Sequence, residues 1–292
     1  MSSLLDAAIP PLMATADLGS LREKIDRIDD AVHDLLMQRA AVVTQVAAAG
    51  KGRVALRPGR EATILRRLLA RNHGALPEQG LVRIWRELLA ATTSMQGPYV
   101  IAVCEPEADA AFTQCAREHF GALTQIRVHR AWSQVLQDIS AGAASVAVLP
   151  LPREEDSSSQ VWWTALLRKD EPRIQVIARL PFWTARPDSA PQAQALVLGA
   201  IPPDPTDNDR SLLGIELSLD VSRTRATAAL TDAGFSLSSL MLRRDPGAPM
   251  AFILADVAGH VTEADPRLDA LRPTIQHAVV LGAYAVPIGV SP

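Results

Sequence analysis

The chain reads as multidomain: an all-α domain that pairs with a second copy of itself, then an α/β lobe, then an α+β domain of βαββαβ order. Three features carry this reading. Apolar residues keep a helical period from Leu18 to Gln96. From Tyr99 onward short apolar runs alternate with helical patterns. Pro202, Pro203 and Pro205 then break the chain among Asp and Asn before a last series of strand-like and helical segments. The expected domains are 1–97, 98–203 and 204–292. Charge changes at the first boundary: residues 1–97 carry 13 Lys and Arg against 10 Asp and Glu, and the remainder carries 16 against 22.

The first helix is expected from Leu18, with Asp17 as N-cap, to a stop at Gly50. Leu18, Ile25, Val32 and Val46 fall on one seven-residue series, and Leu21, Ile28, Leu35 and Val42 on the other. Such a seam belongs against other helices. About 32 residues at 1.5 Å each make a rod of roughly 50 Å, too long to bury its seam within one short domain, so dimerisation is expected. One seam position is Arg39. A guanidinium there is costly unless paired; it is either a structural ion pair or snorkelling side chain, or an anion site inside the bundle.

A second helix is expected from Pro58 to about Asn72, with Ile64, Leu65, Leu68 and Leu69 inward and Arg60 and Glu61 on its first turn. Arg66, Arg67 and Arg71 read as a solvated basic face. A third, from Pro77-Glu78, has Leu81, Ile84, Trp85, Leu88 and Leu89 as its apolar face. Continuing that face places Thr92 and Gln96 inward, one turn apart. Either a structural hydrogen-bond network or a polar ligand satisfies them. Arg39, Arg60, Glu61, Thr92 and Gln96 are thus expected to face a common interior, where paired guanidiniums suit a dicarboxylate.

In the lobe, strands are expected at Tyr99–Val103, Ile126–Val128, Ser145–Leu149 and Arg173–Ala178, and helices at Ala108–Phe120 and Trp132–Ile139.

Composition narrows the function. Hydrophobic residues make up 48% of the 292, enough for real cores, and with 4% aromatics these must be mostly aliphatic. A net charge of -3 excludes a protein whose main task is coating nucleic acid. Cys104 and Cys115 are too few for a disulfide scaffold, and six scattered His do not suggest a metal cage. The uncharged run 273–292 is interrupted by Gly and Pro, which argues against a membrane span. The N-terminus lacks the basic and apolar regions of a signal peptide, so a cytoplasmic location is expected.

Four stretches in order, Leu21-Arg22-Glu23-Lys24-Ile25, Arg39, Arg57-Pro58-Gly59-Arg60-Glu61 and Thr92 to Gln96, make residues 18–97 resemble the all-helical chorismate mutase family. The resemblance implies an intertwined helical homodimer that converts chorismate to prephenate with no cofactor and no metal. By the same resemblance, Arg22 reaches into the partner's site and Arg39 binds a substrate carboxylate. Arg60 and Glu61 hold the substrate, the glutamate on its ring hydroxyl. Thr92 stands where the family usually has Ser, and Gln96 donates to the ether oxygen. The family's lysine lies eleven residues after the seam arginine; that position is Gly50, with Lys51 one residue later, so Lys51 is the implied cation and Arg53 a second candidate. A different class of reading, a non-catalytic dimer that binds another shikimate-pathway enzyme, draws on the displaced Lys51 and on Thr92.

The rest of the chain resembles the prephenate dehydratase and ACT portions of fused mutase–dehydratase proteins, through Gly142–Pro150, Ala195–Gly199 and Asn208–Leu212. Its departures matter. The Gly-rich opening loop is replaced by Cys104-Glu105-Pro106-Glu107, the acidic signature by Pro150-Leu151-Pro152-Arg153, and the Thr-Arg-Phe motif by Gln194 and Ala195. The ACT amino-acid-binding motifs are replaced by Thr224–Thr227 and Leu242–Asp245. The resemblance therefore implies a dehydratase-like region without activity and an ACT-like pairing surface.

Overall fold

A computed structural model describes residues 17–49, 56–187, 190–272 and 275–289. The chain divides into two units, residues 1–53 and 54–292. The expected boundaries at 97/98 and 203/204 both fall inside the second.

The first unit is the long helix α1, Leu18–Ala49. Its start follows Asp17 as expected. No residue of α1 is buried, and its seam residues Ile25, Ile28, Val32 and Leu35 are all exposed.

The second unit begins with the helices α2 (Pro58–Ala70) and α3 (Glu78–Ser94). Pro58 at the first turn suits α2, since its missing N–H would have no intrahelical partner there. α3 packs on α2, and α2 lies on a nine-stranded sheet: β1 Val100–Cys104, β2 Gln125–His129, β3 Val146–Pro150, β4 Gln175–Leu180, β5 Ala195–Gly199, β6 Asp209–Leu217, β7 Leu237–Arg243, β8 Ala251–Ala258 and β9 His277–Ala285. The strand order is β2-β1-β3-β5-β4-β9-β6-β8-β7. β1, β2 and β3 are parallel and connected through α4 (Ala111–Phe120) and α5 (Trp132–Ser140), because parallel neighbours need a crossover. The four strands and two helices expected in this lobe are all present, shifted by a few residues at their ends.

Alternation sets the two faces. On β1, Ile101 and Val103 pack with Cys115 and Phe120 of α4, whereas Ala102 and Cys104 pack with Val135 and Ile139 of α5. The second face also takes Trp163, Leu166 and Leu167 of a 3₁₀ helix, Trp163–Arg168. The remaining elements run β6, α6 (Arg223–Asp232), β7, β8, α7 (Arg267–Ala270), β9. There Leu213, Ile215 and Leu217 meet Ala226 and Leu230 of α6.

The two halves of the sheet join where β4 runs parallel to β9, in register Val176 to Gly282. Gly282 has φ of 137°, and a Cβ there would lie 2.1 Å from the Val176 carbonyl oxygen. Only glycine permits that approach.

Two expectations for α2 and α3 are corrected. Arg66 does not belong to a solvated face: its guanidinium donates to the carbonyls of Asn208 (3.0 Å) and Val286 (2.7 Å) and to the Thr206 hydroxyl (3.1 Å). The Val286 carbonyl lies just past the end of β9, and the Asn208 carbonyl, which already accepts from the Val286 N–H at 3.0 Å, takes the guanidinium as a second donor. Arg67 and Arg71 are exposed as expected. On α3 the buried residues are Val82, Arg86, Leu89, Ala90, Thr92 and Thr93, so Leu89 and Thr92 are inward as expected while Ile84 is exposed. The helix turns its buried face to α4, an element that its own periodicity does not reveal.

Candidate functional site

The expected site residues divide between the two units. Arg22 and Arg39 are on α1, Arg22 exposed and Arg39 half-buried in its seam. Lys51, with Gly50 and Arg53, lies outside the described residues.

In the second unit, Glu61 is held by the first turn of α2 and pairs with Arg86 of α3 at 3.0 Å. Both are largely buried, with side-chain exposures of 12% and 5%. Arg86 also lies over the Phe182 ring, 5.1 Å from its centroid, and 3.5 Å from Nε2 of His119. Burial lowers the pKa of Arg86, with Glu61 opposing it. Burial first, and the Arg86 charge second, hold His119 well below its ordinary value, so the imidazole is neutral and accepts. Burial pushes the Tyr99 hydroxyl well up, and Glu61 adds to this. Arg60, the residue before Glu61, is 100° further round the helix; it is exposed and makes no ion pair among the described residues.

Thr92 is buried, and its hydroxyl donates to the carbonyls of Leu88 (2.8 Å) and Leu89 (3.1 Å). Gln96 is half-buried just past the end of α3, and its amide donates to the Thr92 carbonyl at 3.1 Å. The two are one turn apart, as expected. Arg86, His119 and Tyr99 are missing from the expected set. Arg86 had a readable signal: it follows Val82 by four residues and precedes Leu89 by three, an arginine inside an apolar helical series, as Arg39 is.

At the C-terminal end of β1 the acidic loop has a definite partner. The Glu105 carboxylate, 3% exposed, accepts from the backbone N–H groups of Phe112 (3.3 Å) and Thr113 (2.8 Å) and from the Thr113 hydroxyl (2.8 Å). It therefore occupies the N-terminus of α4, where the helix dipole and free N–H groups favour an anion. Among the described residues no group of three or more His, Cys, Asp and Glu could hold a metal ion, and no helix is long and apolar enough to cross a membrane.

Comparison with known proteins places the helical segment. Residues 21–97 match the chorismate mutase type II family. That match runs through α1, α2 and α3 and contains every expected site residue. A bifunctional chorismate mutase/prephenate dehydratase of Pseudomonas aeruginosa is 30% identical over 155 residues, 50% of this chain and 42% of the relative. Its counterpart in Neisseria gonorrhoeae is 28% identical over 138 residues, 47% of this chain and 38% of the relative. The matched stretch thus spans less than half the length of these relatives. Among solved structures, GqqA, a quorum quenching acylase, superposes with a TM-score of 0.52 at 16% identity, covering 67% of this chain and 100% of that one. At that identity the likeness concerns the fold alone. The stretch that matches the chorismate mutase type II family is thus followed along the chain by the nine strands of the mixed sheet.

Proposed function

We propose that the chain is a chorismate mutase, acting as a homodimer through α1. The observation that carries this reading is the family match over residues 21–97, which includes Arg22, Arg39, Lys51, Arg60, Glu61, Thr92 and Gln96. The reaction is an intramolecular Claisen rearrangement and needs no cofactor, nucleophile or proton transfer. The protein holds the enolpyruvyl chain over the ring and stabilises the negative charge growing on the ether oxygen. Arg39, with Arg22 supplied to the partner's site, fixes the two carboxylates. Arg60 and Glu61 hold the ring, Thr92 binds alongside them, and Lys51 and Gln96 meet the ether oxygen. The half-buried Arg39 in an apolar seam supports this, because a fork-shaped cation in that place suits a carboxylate.

The sheet unit carries no dehydratase activity on this reading. Glu105 already fills the anion position at the α4 N-terminus, so a dianionic substrate would meet a carboxylate there. The β-α-β-β-α-β order from β6 to β9 supports an ACT-like module whose role is pairing.

The test is loss of chorismate absorbance with the purified full chain. Turnover is expected in the wild type, with Arg39→Ala and Gln96→Ala each lowering it by about 10²–10³. Near-wild-type rates in both variants would overturn the site. Absence of turnover in the wild type would favour the non-catalytic dimer. Prephenate offered to the same protein is expected to yield no phenylpyruvate.

A further inference from the structure

A cavity of about 360 Å³ opens between α3, α4 and the chain segments Pro181–Pro187 and Ala190–Pro191, and neither Thr92 nor Gln96 lines it. Its volume lies within the range of small-molecule sites. One wall is apolar: Val82, Pro181, Phe182, Trp183 and Pro187. Cys115 adds to it, since burial pushes that thiol up to about 12 and keeps it uncharged. The polar lining is biased to cations, with Arg83, Arg86, Arg117 and Arg186 against Glu87 and Glu118.

Most of these charges are already committed. Arg86 pairs with Glu61 at 3.0 Å, and Arg186 with Glu118 at 2.5 and 2.7 Å. Arg117 donates to the Ala122 carbonyl, and Glu87 accepts from the Ala122 N–H at 3.0 Å. Arg83 is exposed and has no hydrogen-bond or ion-pair partner among the described residues. An apolar lining that shares its cavity with one uncommitted guanidinium fits a monoanion with a planar apolar body, which the fork can grip at two oxygens.

We propose that this cavity binds a small aryl carboxylate, its ring against Phe182 and Trp183 and its carboxylate on Arg83. None of the residues assigned to the mutase reaction lines this cavity, although Arg86 of its lining pairs with Glu61, and the proposal does not rest on that assignment.

Calorimetric titration of the full chain with 3-phenylpropanoate and with its primary amide tests this. One saturable site per chain is expected, with the amide at least about tenfold weaker and Arg83→Ala weakening the acid by a similar factor. Arg83→Met keeps the apolar stem and should show the same loss, so a packing defect is separable from loss of charge. Trp183→Phe should abolish the ligand-dependent change in tryptophan fluorescence while the heat of binding persists. No saturable heat, equal affinity for acid and amide, or full binding by both Arg83 variants would each overturn the proposal. So would displacement of the probe by chorismate, which would place it in the mutase site.

Discussion

Glu61 has two demands on it. The proposed reaction asks it to hold a substrate hydroxyl, and the fold uses it as counter-ion to the buried Arg86. A carboxylate has acceptor sites for both. Removing one member of a buried pair strands the other and costs about 3–5 kcal/mol, whereas replacing both by apolar groups is close to neutral. Glu61→Gln is therefore expected to lose about 3 kcal/mol in urea denaturation together with mutase activity. Replacing both by apolar groups, Glu61→Met with Arg86→Met, should restore most of the stability and none of the activity. Recovery of both would show that Glu61 acts only through Arg86. His119 gives the cluster a pH dependence. Its pKa is ordinarily near 6.5 and is held well below that by burial and by Arg86. Below about 6.5 the unfolded chain binds a proton that the folded one refuses, so stability falls by about 1.4 kcal/mol per pH unit until the folded pKa is reached. Denaturation midpoints from pH 7 to pH 5 should show this slope, and His119→Gln should flatten it. Arg39 was legible because a heptad makes its intruder obvious. Arg86 carries a signal of the same kind, but the apolar series around it is shorter and its packing partner α4 lies outside the helix's own pattern.

At the scale of elements, local pattern and long-range pairing differ in how much sequence discloses. The strands and helices of the lobe follow from alternation and period, and the start of each helix from Asp17, Pro58 and Pro77. That α2 packs on the sheet follows from Arg66, and that it lies close to the chain before β6 from Gly59, whose missing Cβ would fall 2.6 Å from the Asp204 carbonyl oxygen. Neither contact has a local signature. The same holds for the union of β4 and β9 at Val176 and Gly282, residues more than a hundred positions apart. Gly282→Ala must both adopt φ of 137° and displace backbone at 2.1 Å, so a loss of about 3 kcal/mol or more is expected. Gly142 supplies the control: its φ is 68° but nothing lies within 4 Å of a Cβ there. Gly142→Ala should cost only about 1–2 kcal/mol of backbone strain. Thermal melts of the two variants that coincide would deny the close approach at Gly282.

The whole molecule poses the question of what covers α1. Leu21, Ile25, Ile28, Val32, Leu35, Val42 and Val46 form a continuous seam, yet every one is exposed, by 44% to 63%. Apolar surface in water is unfavourable by roughly 25 cal/mol per Å², and helix stability in proteins comes chiefly from packing one face. A second copy of α1 offers the matching heptads, which is why the proposed function is dimeric. Two charges on the seam, Ile28→Asp with Leu35→Asp, should shift the chain from dimer to monomer in sedimentation velocity. Because the seam also carries Arg39, and Arg22 is assigned to the partner's site, that variant should lose mutase turnover along with dimerisation. The sheet unit has its own cores and should keep its melting transition. A monomeric variant that still turns over chorismate would mean that each chain completes its own site, and would remove Arg22 from the proposed mechanism while leaving Arg39 in it.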